Sequence, residues 1–262
     1  MIRYLLQTHL KNKTLWAWPG IVLLFVASII VWGDVSATQN SYSFIIHIGD
    51  LQIPSGMFIN QFLISLITLI AIIGLPSPLA KNLKPARASL LLSKPISRTE
   101  MFLSDYASML LSVCAYTGIT ILLLSILTIV KAGIFPYQLF LGIFLFLPLI
   151  ILAYYITISL FLLFSNSYLA GVILGYFLTG FSSLFLNIDQ FLKNLGWEGT
   201  FADILITTCS YLIPSAGGFE QITSKLLMGG FSTIDGNLLV FSVVTYLPFG
   251  LASYYFLHKK EF

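Results

Sequence analysis

Six stretches of this chain run for about twenty residues each without an Asp, Glu, Lys, Arg or His; they lie near 15–33, 57–79, 107–130, 139–164, 168–187 and 238–257. A bilayer's hydrocarbon core is about 30 Å thick, so a helix needs roughly 20 mostly apolar residues to cross it. Soluble domains carry about 25% charged residues, whereas this 262-residue chain carries 9%, with 58% hydrophobic residues. The pattern predicts an all-α polytopic membrane protein, one domain over 1–262, with six transmembrane helices. A further apolar run at 201–213, FADILITTCSYLI, is 13 residues long and reads as interfacial or re-entrant.

Orientation follows from the basic residues, which collect in short cytoplasmic loops. With six spans and the N-terminus inside, the inner side holds Arg3, Lys11, Lys13, Lys81, Lys84, Arg87, Lys94, Arg98, Lys259 and Lys260, ten of the 13 basic residues. Seven of the ten acidic residues (Asp34, Asp50, Asp189, Glu198, Asp203, Glu220 and Asp235) fall outside. Both termini are therefore expected in the cytoplasm, with the chain in the inner or plasma membrane of a prokaryote. Residues 1–15 place Ile2, Leu5, Leu6 and Leu10 near one helical face, as in a helix lying on the membrane surface. A cleaved signal ending at Val35-Ser36-Ala37 is the competing reading, but Trp16 and Trp18 suit an interfacial belt better than a compact signal start.

The spans so drawn hold no ionisable group, and ion-coupled transporters carry such groups at membrane depth. His9, His47 and His258 stand outside the spans without ligand-like spacing, and no G-x-x-x-x-G-K-[ST] phosphate loop occurs. No catalytic, cofactor or metal residue is assigned. Cys114 lies in the third span and Cys209 in the outer segment 188–237, on different levels, so both read as packing residues.

The charge that remains gathers in an inner loop over 80–106, AKNLKPARASLLLSKPISRTEMFLSDY. Pro85 suits the first turn of a short helix, Ala86 to Ser93 can continue it, and Pro95 disfavours helical geometry at Lys94. Ser97 and Glu100 form an S-x-x-E capping box, so a new helix is expected to start there and run unbroken into the third span.

The stretch LLLSKPISRTEMFLSDY resembles the first cytoplasmic loop of ABC-2 type permeases, the membrane subunits of a class of ATP-binding-cassette transporters. Their loops have a Leu-rich stretch followed by Ser-(Lys/Arg)-Pro-(Ile/Val)-Ser-Arg, matched here by Leu90 to Arg98. Six spans, the outer segment containing YLIPSAGGFEQI (211–222) and the basic tail HKKEF agree with the same family. Two features depart from it: KNLKPARAS replaces an acidic, Gly-Thr start, and Asp105 replaces a common Lys near the third span.

The resemblance implies a permease subunit, more typically of an exporter. Its partners would be cytoplasmic ATPase subunits that bind ATP and Mg, and a second permease subunit, identical or homologous. Lys84, Arg87, Leu90, Leu91, Leu92, Lys94, Pro95, Arg98 and Glu100 would form the ATPase-coupling element. In the family the second and fifth helices border the substrate path, which makes Asn60, Gln61, Gly171, Gly175 and Thr179 candidates for it. Helix packing within the chain is the other reading of these five. Ser167, Gly171, Gly175, Thr179 and Ser183 recur every fourth residue, a spacing that lets helices approach closely. Pro148 and Pro248 are expected to kink their helices. The outer segment is expected to form a short helical cap, with a break near Pro214 and Gly217-Gly218 and a second helix from Phe219 to about Met228. The rival to a transporter is a non-transporting membrane anchor or sensor that binds a cytoplasmic protein through the loop 80–106.

Overall fold

The computed structural model describes residues 2–38, 41–48, 50–54, 59–84, 97–133, 135, 142–165, 167–185, 192–196, 199–201, 204–205, 208, 216–227 and 236–259. Helix α1 (Ile2–Leu10) leads into α2 (Lys13–Trp32). At the joint the Asn12 side chain accepts from the Thr14 N–H at 3.2 Å, capping α2. The same side chain donates to the Gly74 carbonyl at 2.7 Å, fastening the joint to the next helical segment.

That segment is a π-helical turn (Ile59–Ile64), then α3 (Ser65–Gly74) and α4 (Pro76–Asn82). It crosses the bundle in the opposite sense to α2. Helix α5 (Arg98–Ala132) is the longest element, with 35 residues and a length of about 52 Å. It starts at the Ser97 cap, whose hydroxyl accepts from the Glu100 N–H at 3.0 Å, and it ends at Gly133, where a φ of 66° gives the left-handed stop that glycine permits.

A second π-helical turn (Gly142–Phe146) opens into α6 (Leu147–Ser165). Pro148 sits at this junction, where it lacks an N–H and its ring crowds the carbonyl four residues back, so the wider turn removes the conflict. Helices α7 (Tyr168–Phe185), α8 (Gly217–Leu227) and α9 (Gly236–Lys259) complete the fold. Among the described residues, five helical segments are long and apolar enough to cross a membrane: Lys13–Trp32, Phe62–Asn82, Arg98–Ala132, Gly142–Ser165 and Leu239–Lys259; Tyr168–Gly180 in α7 is a shorter apolar helix. The chain is a membrane-embedded helical bundle.

One element departs from the all-α expectation. Between α2 and the first π-helical turn the chain forms an antiparallel sheet of β1 (Gly33–Thr38), β2 (Ser41–Ile48) and β3 (Leu51–Pro54), in the order β1-β2-β3. Thr38 pairs with Ser41 and Ile48 with Leu51. Two residues separate each paired end, the length that favours tight hairpins. The run FIIHI over 44–48 contains three isoleucines, a β-branched residue type that favours strands. Lys131 near the end of α5 donates to the Gly33 carbonyl at 2.9 Å, so the sheet begins where α2 and α5 end together.

Trp18 is also not where the sequence suggested. It is 0% exposed, against 58% for Trp16. Its indole N–H donates to Thr120 Oγ1 at 2.8 Å, and its ring stacks on Tyr116 with centroids 5.6 Å apart. Of the two, Trp16 has the exposure of an interfacial residue. Helix α8 buries one face: Phe219, Ile222 and Thr223, at helical spacing, pack against α6, α9 and the second π-helical turn. Ahead of it, Phe201, Ile204, Leu205 and Thr208 have helical backbone.

The four-residue stripe on α7 faces α6. A Cβ on Gly171 would lie 2.7 Å from Leu162 Cδ2, and one on Gly175 would lie 2.9 Å from Ile158 Cα. Thr179 and Thr157 hydroxyls are 2.8 Å apart. Partner numbers fall as stripe numbers rise, so the two helices run antiparallel. The obstacle at Gly175 is backbone, which cannot move aside, whereas at Gly171 the nearest atoms belong to a flexible leucine. Gly175→Ala is therefore expected to cost about 1–3 kcal/mol of stability and Gly171→Ala less, measured by denaturant or thermal unfolding of the purified protein in detergent.

Candidate functional site

The segment singled out by its charges connects the end of α4 to the start of α5 in the chain. Arg87, Leu90, Leu91, Leu92, Lys94 and Pro95 lie outside the described residues; Lys84, Arg98 and Glu100 flank them. Lys84 and Glu100 are exposed. Arg98 turns inward along its own chain: its guanidinium donates to the His258 carbonyl and, at 3.4 Å, to the Leu257 carbonyl. It thus satisfies the last carbonyls of α9, where a cation is also favoured by the helix dipole. Thr99 adds contacts to the Tyr254 hydroxyl at 3.1 Å and His258 Nε2 at 3.2 Å. Arg98 therefore holds the two helices together, a role its place in the charged motif did not suggest.

The start of α5, the end of α4, the end of α9 and all of α1 meet at this end of the bundle. An open groove of about 720 Å³ is lined by Arg3 of α1 and by Ser97, Thr99 and Glu100 of α5. A second groove, of about 540 Å³, is lined by Lys11, Lys13 and Lys81 with Tyr4, Gln7 and Thr8. The three lysines are exposed and make this face basic, which suits an acidic protein surface or anionic headgroups.

Beneath the grooves lies a polar cluster that the span boundaries concealed. Asp105 is 3% exposed, and Tyr155 of α6 donates its hydroxyl to Asp105 Oδ2. Tyr106 and Ser159 hydroxyls are 2.6 Å apart. Drawing the third span from 107 left Asp105 outside it, but α5 begins at Arg98 and α6 covers the carboxylate. The premise that no ionisable group enters the bundle is thereby corrected. The signal was present: Met101, Asp105, Ser108, Ser112, Tyr116 and Thr120 share the buried stripe of α5, and Asp105 falls on its period.

Asn60 and Gln61 fall in the first π-helical turn, a geometry that recurs at functional sites. Gly171, Gly175 and Thr179 meet α6 as described above. The described residues named from the sequence fall on separate elements: Lys84, Arg98 and Glu100 beside the end of α4 and the start of α5, Asn60 and Gln61 in the first π-helical turn, and Gly171, Gly175 and Thr179 on α7. Among the described residues, no group of three or more His, Cys, Asp or Glu is placed to hold a metal ion. Compared with known proteins, the chain matches no family model, and no curated protein matches it significantly.

His9 was also missed. Leu5 and His9, four residues apart on α1, form the face that packs on α5, and His9 is 0% exposed. Neither ring nitrogen has a hydrogen-bond partner. Burial lowers its pKa from 6.5 to about 4, because charging it there forfeits hydration. The neutral ring is thus the form that packs. Its stabilising contribution is complete above pH 6.5 and is lost as the pH falls from 6.5 toward 4. The melting temperature in detergent is expected to fall over that window, and His9→Leu is expected to remove much of the fall.

Proposed function

We propose that this chain is the permease subunit of an ATP-binding-cassette transporter of the ABC-2 type, exporting its substrate at the expense of ATP hydrolysed in separate cytoplasmic subunits. It crosses the membrane six times, with α7 as the fifth crossing and both termini inside. It pairs with a second permease, identical or homologous, and the ATPases carry the ATP and Mg. Residues 85–96 form the docking element, and α8 with the preceding segment forms an outer cap.

The observation that supports this reading most is α5. A 35-residue helix, capped by Ser97 at the base of the docking segment, continues without a break to the far end of the bundle. A load applied beside its first turn is carried along its length, because a helix bends little where no Pro or π-bulge interrupts it. Arg98 and Thr99 couple that turn to α9, so α5 and α9 move as a pair. An ATPase closing beneath the loop could thereby tilt two spans with no catalytic residue in the permease itself.

Two experiments test this. Single cysteines at Ser97 and Lys259 should react with impermeant reagents only from the cytoplasm, and those at Gln190 and Thr233 only from outside; exterior labelling at 259 would sink the six-span topology. Replacing Leu91 or Leu92 with Asp should leave the protein inserted yet prevent co-purification of an ATPase and abolish ATP-dependent transport. Loss of a buried contact residue typically costs on the order of 2 kcal/mol or more, whereas Arg87 or Lys94 as rim charges should alter mainly association rate and salt sensitivity. Leucine variants that bind the ATPase and transport normally would leave the loop as a topological signal only.

A further inference from the structure

Below the docking segment the bundle encloses a cavity of about 20 Å³, with Asn82, Asp105, Tyr106, Ser159, Leu5 and Leu257 in its wall. A space of roughly 10–15 Å³ already admits one water-sized occupant, so this one takes a single small guest. Two oxygens of its wall are buried without a hydrogen-bond partner: Asp105 Oδ1 and Asn82 Oδ1. Both residues are 3% exposed. Buried polar groups are ordinarily paired, and an orphaned carboxylate oxygen is among the costliest exceptions.

The neighbouring hydroxyls do not resolve this. Ser159 donates to the Ile156 carbonyl at 2.8 Å, so the 2.6 Å contact with Tyr106 has Tyr106 as its donor. Both hydroxyl protons are committed, while lone pairs remain. The Tyr155 proton is committed to Asp105 Oδ2. The wall therefore presents one carboxylate, one amide oxygen and two hydroxyl oxygens, and no Lys, Arg or His lines it.

We propose that this cavity binds one monovalent cation the size of Na⁺, held by Asp105 Oδ1 and Asn82 Oδ1 and assisted by the Tyr106 and Ser159 oxygens. An all-oxygen donor set selects hard cations. A single carboxylate balances a single positive charge, whereas sites for divalent ions typically gather more carboxylates or waters. Asn82 is the last residue of α4, and the negative end of a helix dipole favours a cation there. Asn82 and Asp105 stand on either side of residues 85–96 in the chain. The bound ion would clamp the end of α4 to α5 and so fix the separation between the two ends of that segment. The site stands whether or not the chain is a transporter.

The test is thermal unfolding of the full-length protein in detergent, in Na⁺, K⁺ and choline chloride at one ionic strength and pH. A bound cation gives a saturable rise in Tm, expected to be largest in Na⁺ and absent in choline. Asp105→Asn keeps the shape without the charge and should abolish the rise. Asn82→Ala keeps the charge and loses one ligand, and should raise the half-saturating Na⁺ concentration about tenfold. Equal melting of the unsubstituted protein in all three salts overturns the proposal, as does a cation-dependent rise that survives Asp105→Asn. A water, a proton on Asp105 or a turned Asn82 amide filling the need would each give the first of these outcomes. Should Asp105→Asn not fold, sodium NMR line broadening by the unsubstituted protein, displaced by excess K⁺ and weaker with Asn82→Ala, decides the matter; no excess broadening overturns the site.

Discussion

A helix of about 52 Å does not fit inside a hydrocarbon layer of about 30 Å. The excess length of α5 organises the rest of this bundle. Its apolar part packs against α2, α6 and α9, while its first turns, rich in Ser, Thr and charged residues, give α1 a surface to dock on. At its other end Lys131 reaches the Gly33 carbonyl, and the sheet grows from that corner. Both ends depend on a few polar contacts, since no apolar driving force assembles helices within lipid.

Much of this architecture could be read from the residues. Long runs without charge revealed the spans, because lipid leaves a backbone no option except internal hydrogen bonding. The start of α5 was legible to the residue, because Ser97 and Glu100 encode a local hydrogen bond that needs no tertiary information. What sequence reasoning missed depends on partners far along the chain. Trp18 carries the composition of an interfacial anchor and becomes a core residue only because Thr120 and Tyr116 meet it. His9 lay in a segment read as surface-bound, and its burial is decided by α5. Residues 33–54 hold no charge-free run of spanning length, so the signal that revealed the helices is silent on the sheet.

The candidate site divides in the same way. The charged motif between α4 and α5 declared itself by composition, yet its described flanks behave differently from one another: Lys84 and Glu100 face out, while Arg98 closes on the end of α9. A charge in a recognised motif can serve the fold first. Asp105 illustrates the converse. Counted by position, it was two residues outside a span and a departure from a family pattern; counted by helical period, it was on the buried stripe. A boundary drawn two residues late hid the most consequential polar group in the bundle.

The bond from Arg98 to the end of α9 joins residues about 160 positions apart in the chain. A ribosome delivers α5 long before α9, so for most of synthesis the Arg98 guanidinium has no acceptor from α9. The end of the bundle where α1, α4 and α5 meet is completed only when α9 has been released and has folded back. A chain released only as far as α8 lacks this closure, so the first turn of α5 stays without its carbonyl partners until α9 packs beside it.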